Sequence, residues 1–318
     1  MGLPGWRRPG SLGRRRGGRR SVSAGVPAGI AGGRVSEPVV SHGALQSYVD
    51  KWLAVQPAQR MALVFVDPGK YSGHIALAAL EQELLSAAYG IREPHVALGK
   101  LNWWAEELSG AGASGGRHPL TQVLFDDERA HAIATELWMA PVLAAMAQLE
   151  EGTAADFPAQ IAAASSLHGA LAELETAWWY GNGAASERAA RVATLSHLLH
   201  VLRRLEDDAE RDRLPLPMAR LARYGLARDA LRRRSEARDE AIRAQLADLQ
   251  SSWREAGRLS GTLSVFRALE SREAERLLGR ARGADDPLAA LQQGGRGNFG
   301  TTFAAWRAAR RWRTAAAD

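Results

Sequence analysis

An all-α fold is predicted by three features of the chain. Helix-forming Ala, Leu and Arg dominate almost throughout. Apolar residues recur at helical spacing, as in Leu195, Leu198, Leu199, Leu202 and Leu205. No stretch alternates apolar with polar residues in the manner of a half-buried strand. At 318 residues the chain can bury one large core or two ordinary ones. The absence of cysteine excludes disulfides, thiolate metal sites and cysteine nucleophiles. No apolar run approaches the roughly 20 residues that a membrane helix needs. The expectation is a soluble, cytoplasmic protein, with membrane association left open.

The N-terminal stretch, residues 1–42, is Gly, Arg, Ser and Pro with little to bury, which predicts a disordered basic arm. Residues 1–36 hold Arg7, Arg8, Arg14, Arg15, Arg16, Arg19, Arg20 and Arg34 and no acidic residue. Taking those eight charges from the formal net +6 leaves −2, so the remaining chain carries no nucleic-acid footprint. A transit peptide is opposed by the Gly and Pro content, and an export signal by the weak apolar run after Ser21. A solvated tail, or translation from an upstream start codon, is the plainer reading.

A single helical domain is expected over 43–318. Leu45–Val55 reads as a short amphipathic helix, and Met61–Val66 as an apolar run before the Asp67-Pro68-Gly69 turn. Ser72 is expected to cap a helix over Gly73–Tyr89, and Pro94 to open one that stops at the loop Gly110–Gly116. His118-Pro119 starts a turn of helix; Asp126 or Asp127 then caps a segment through Glu151, interrupted near Pro141. Asp156 and Pro158 begin a helix to Tyr180, ended by Gly181-Asn182-Gly183. Ser186 leads into an amphipathic helix that runs into an acidic patch and breaks at Pro215-x-Pro217. A charged helix from about Ala227 to Gly257, another over Leu263–Arg282, a short one after Asp285-Asp286-Pro287, and a terminal one over Thr301–Arg313 complete the chain.

Three passages in this order carry a resemblance to a known family. They are Ala76–Leu108, with its Trp103-Trp104 pair before a glycine loop and His118-Pro119; Leu202–Leu226, LRRLEDDAERDRLPLPMARLARYGL; and the closing FAAWRAARRW. Together they resemble the squalene/phytoene synthase family, which implies a single isoprenoid-synthase-type helical bundle. The second passage is similar to the family's acidic signature Leu-Arg-Asp-x-x-Glu-Asp followed by Gly-Arg and Leu-Pro. Family members join two prenyl diphosphates head to head. Mg²⁺ ions, held by two facing Asp-rich motifs, neutralise the departing diphosphate, because hard cations take oxygen ligands and carboxylates four apart share one helix face. The carbocation then rearranges in a dry, apolar cavity.

Set against that pattern, the chain departs at the metal positions. The first Asp of the second motif falls on Arg204, its acidic pair on Asp207 and Asp208, and Gly-Arg on Asp212-Arg213; upstream Gln and Asn fall on His197 and His200. Where the first Asp cluster belongs, the chain reads Leu84-Leu85-Ser86-Ala87-Ala88. Glu81 and Glu83, two apart on a helix, do not face one cavity. The resemblance therefore implies a catalytically degenerate member acting as a prenyl-lipid-binding or assembly-helper protein, as a mitochondrial complex I assembly factor resembles this fold without intact Asp motifs. Its remnant diphosphate and Mg²⁺ site is expected at Arg203, Asp207, Asp208, Asp212 and Arg213, with Trp103, Trp104, His197 and His200 as cavity-lining candidates.

No cofactor is expected on that reading; an isoprenoid or other lipid ligand, a protein partner and peripheral membrane contact through the terminal Arg307, Arg310, Arg311, Arg313, Trp306 and Trp312 are. The alternative is an active, divergent Mg²⁺-dependent prenyltransferase making a squalene- or phytoene-type product, with Asp208 and Asp212 as metal ligands. His197 and His200, at i and i+3, have a zinc-compatible spacing, but with no third histidine nearby they read as structural. In Trp178-Trp179, as in Trp103-Trp104, adjacent helical positions point about 100° apart, so one ring of each pair is expected in the core and one part-exposed.

Overall fold

The computed structural model describes residues 42–211, 213–293 and 299–315, and among these all regular structure is helical. The expectations for the basic arm and for Asp212, and most of the loop before the last helix, lie outside the described residues. The described residues form one compact body.

Helix α1 is His42–Val55, followed by a 3-10 turn over Pro57–Val64. Helix α2, Ser72–Leu85, passes without a break into a π-helical turn, Ser86–Gly90. Ser72 is its first residue rather than its cap; Tyr71 takes that place with no side-chain hydrogen bond. Helix α3, Pro94–Ser114, continues through Gly110 and Gly112 to Gly115, whose φ of 79° closes it. Buried Leu108 and Ala111 outweigh two internal glycines, each costing about 1 kcal/mol. Helix α4, Pro119–Phe125, is capped by His118, and α5, Glu128–Ala132, by Asp127. The interruption expected at Pro141 lies instead at Ile133–Ala134. Helix α6, Thr135–Gln148, carries Pro141 buried inside it, so packing tolerates the missing hydrogen bond.

Helix α7, Phe157–Tyr180, starts with Asp156 accepting from the Ala159 amide and ends at Gly181. Helix α8 is Glu187–Arg203, α9 is Leu205–Glu210 and α10 is Met218–Arg223. The continuous helix expected from Ala227 is divided. A 3-10 turn covers Asp229–Arg232, and α11, Glu236–Ala256, begins anew because extended Ser235 caps the Arg238 amide. Helices α12, Val265–Arg282, and α13, Pro287–Gln292, are capped by Ser264 and Asp286; α14 is Phe299–Ala315.

Helix α7 is the central element, packed between α6 and α8. That explains why Trp178 and Trp179 are both buried, at 1% and 5% exposure, where one part-exposed ring was expected. Trp179 meets His74, Phe266 and Trp312 edge-on. Gly73 admits Trp178, since a Cβ there would lie 2.6 Å from the indole. The apolar core forms two main clusters, one built on α1 to α7, the start of α12 and α14, the other on α8 to α13 with the start of α7. Residues of both line a large cavity, which is where the candidate site lies. None of the described helices is long and apolar enough to cross a membrane.

Candidate functional site

The cavity measures about 1420 Å³ and is walled by the last turns of α2, the middle of α7, the C-terminal half of α8, the α9–α10 connection and the first three turns of α12. Its α8 wall is set by the amphipathic stripe. Leu195, Leu202 and Leu205 bury into the core, and this turns His197, His200 and Arg204 toward the cavity. The helix does not run into the acidic patch. It breaks at Arg204, whose φ and ψ of −99° and 18° end α8 and start α9. The break separates the acidic pair: Asp208 is buried and lines the cavity, whereas Asp207 is exposed and does not.

Asp208 is held by arginine. The Arg213 guanidinium lies 3.2 Å from its Oδ1, and the Arg213 amide donates to the Asp208 carbonyl. Arg213 Nη1 also donates to the carbonyl of Tyr89, at 2.6 Å, so it ties α9 to the end of the π-helical turn. Burial raises the Asp208 carboxyl above its ordinary range, against the pull of Arg213, Arg204 and Arg211. Arg203 and Arg204 line the same region, with Glu273 the acidic neighbour of Arg203. On the α2 side stand Gln82, Leu85, Ser86 and Tyr89, with Glu81 the carboxylate of that wall.

Between these walls lies a stack of aromatic rings. Tyr89 lies 4.4 Å from His197 and His197 lies 4.2 Å from His168, centroid to centroid; the Tyr89 hydroxyl is 3.5 Å from His168 Nε2 and donates to Gln148. Burial holds His197 down to about 3 and His200 to about 4, and lowers His168 well below the ordinary imidazole range. All three are neutral at pH 7. His168 escaped the sequence reading because it is isolated on α7. The available signal was register: His168 and His197 stand at similar distances from the α7–α8 turn, so an antiparallel helical hairpin brings them level.

A buried ionic cluster closes another part of the cavity. Arg267 on α12 meets Glu270 at 2.7 Å, Glu175 of α7 at 2.9 Å and Glu81 of α2 at 3.1 Å. Glu81 is thereby turned onto Arg267, while Glu83, two residues on, pairs with Lys100 instead. Trp103 and Trp104 stand away from this cavity. Trp104 is in the core, Trp103 is 38% exposed, and both meet His118 edge-on. His118 is fixed there by Glu107, which accepts from the Arg117 and His118 amides and the Thr121 hydroxyl.

The donor set does not suit a cluster of hard cations. Among the described residues no three His, Asp or Glu are arranged to hold a metal. Asp208 is paired with arginine, and Glu81, Glu175 and Glu270 share another. Divalent ions need several free carboxylate oxygens, and these four cavity acids are instead held by guanidinium groups.

The squalene/phytoene synthase family model matches residues 60–310. No curated protein sequence matches the chain. A dehydrosqualene synthase crystallised in complex with ligand superposes with a TM-score of 0.58 at 10% identity, covering 85% of this chain and 98% of that one. Squalene synthase HpnC from Alicyclobacillus acidocaldarius superposes with a TM-score of 0.52 at 13% identity, covering 86% and 97%. These likenesses show the all-α isoprenoid synthase fold. The match across most of its length places this chain in the squalene/phytoene synthase family.

Proposed function

We propose that this protein is a non-catalytic member of its family, which holds a prenyl or similar amphipathic lipid in the cavity and serves as a lipid-binding or assembly-helper protein. One observation carries the reading. Asp208 is paired with Arg213, and Glu81, the α2 carboxylate that shares its cavity, is paired with Arg267. Mg²⁺-assisted ionisation requires ligands from two walls, and neither supplies a free set.

What the residues can do is bind an anionic head directly. Arg203 and Arg204 present guanidinium groups, which match phosphate oxygens in fork geometry. Leu85, Leu199, Phe266 and Leu277 provide apolar wall for a chain, and the neutral Tyr89–His197–His168 stack adds polar contacts without charge.

The test is direct. Purified protein given farnesyl or geranylgeranyl diphosphate with Mg²⁺ should release no pyrophosphate, yet should bind the same compounds in EDTA. Arg204→Ala should weaken that binding about tenfold, as loss of a charge-assisted hydrogen bond does. Turnover that disappears on Asp208→Ala would sink the proposal in favour of an active Mg²⁺-dependent prenyltransferase.

A further inference from the structure

We propose that the outward face of α14 docks on an anionic bilayer surface. The helix is anchored by one side and bare on the other. Ala305, Ala308, Ala309 and Trp312 are buried against α12 and the Pro57–Val64 turn, so the helix is held in place rather than free to repack. Phe303 and Trp306, on the opposite side, are 52% and 43% exposed and stack on one another at 5.4 Å. Arg307, Arg310 and Arg311 are exposed beside them and make no ion pair among the described residues, and the helix contains no acidic residue. The Arg310 guanidinium lies 5.8 Å from the Trp306 ring.

An exposed aromatic pair flanked by unpaired arginines matches the interface of a bilayer, where rings enter the headgroup layer and guanidiniums meet phosphate and carboxylate. A purely polar anionic partner would leave Phe303 and Trp306 without a role. The face continues toward the cavity. Arg313 donates to the Phe65 carbonyl, Val64 beside it is 70% exposed, and exposed Val55 and Pro57 at the near end of that segment line the cavity.

The experiment is co-sedimentation of the full chain with phosphatidylcholine vesicles, with and without phosphatidylserine. Binding should require the anionic lipid. Arg307→Ala with Arg310→Ala should lower the partition coefficient roughly 25-fold, taking about 1 kcal/mol for each basic residue near the surface. Phe303→Ser with Trp306→Ser should lower it about tenfold or more at unchanged charge. Leu143→Ser, an equally exposed apolar site on α6, should leave it unchanged. Circular dichroism establishes that each variant is folded. If both α14 variants bind like the parent, the arginines of residues 1–36 carry the attraction and the proposal fails. It fails equally if the aromatic variant alone is unaffected, since simple charge attraction would then suffice. The outcome is independent of whether the cavity binds lipid.

Discussion

Replacing Arg267 by methionine tests the ionic cluster that joins α2, α7 and α12. The guanidinium is buried and contacts Glu81, Glu175 and Glu270 within 3.1 Å. Burial alone would lower its pKa, but the three carboxylates outweigh that and raise it. Methionine fills a similar volume and leaves the acids uncompensated. Breaking a buried pair from one side costs about 3–5 kcal/mol. With an unfolding entropy of about 2.1 cal/mol/K per residue, a body of this size loses about 5–9 °C in Tm for that cost.

The loss should depend on pH in a definite direction. Burial first, then like charge from Glu175, already raises Glu81 above its ordinary value of 4.5, and burial raises Glu270 likewise. Removing Arg267 raises both further. A carboxyl whose folded pKa exceeds its unfolded pKa binds more protons in the folded state, so stability falls as pH rises between the two values. The penalty is complete above the raised pKa and vanishes below about 4.5. Thermal unfolding by circular dichroism at pH 8 and pH 5 should show the larger deficit at pH 8. A loss under about 2 °C at pH 8, or a larger loss at pH 5, would refute the reasoning.

Other consequences can be checked alongside. Glu107→Ala strands the Arg117 and His118 amides that it now accepts from, and should cost about 2–4 kcal/mol, read as a shifted urea midpoint at constant slope. Gly73→Ala sets a Cβ against the buried Trp178 ring and should cost about 1–3 kcal/mol; a neutral result would mean the indole is not where the packing puts it. His197→Phe keeps a ring beside Tyr89 while removing a group whose folded pKa, about 3, lies below the unfolded 6.5. The unfolded chain takes up that proton first as pH falls, so the parent loses stability from pH 6.5 downward. The variant should lose less between pH 7.5 and pH 5, and equal slopes in the urea midpoints would count against a buried neutral His197.

The sequence by itself determined the helical class, most element positions and the family's second motif, because these rest on local physics. Helical periodicity, the Asp156 cap and the Gly181 stop involve residues within a few positions of each other. Misplaced boundaries occur where packing overrode a local signal. Pro141 and Gly110 sit inside helices because buried neighbours outweigh their backbone cost, while Ser235 breaks a charged run that looked continuous. The site was legible as a composition and not as an arrangement. Arg204 was visibly in place of a carboxylate, but the kink there, which exposes Asp207 and buries Asp208, follows from how α8 and α9 dock. His168, remote in sequence, joins His197 through the hairpin register of α7 and α8, and Glu81 is claimed by Arg267 from a helix 186 positions away. Which charges neutralise one another across a cavity is a nonlocal matter, because Coulomb and desolvation energies depend on separation and burial in space, and only the tertiary structure decides those.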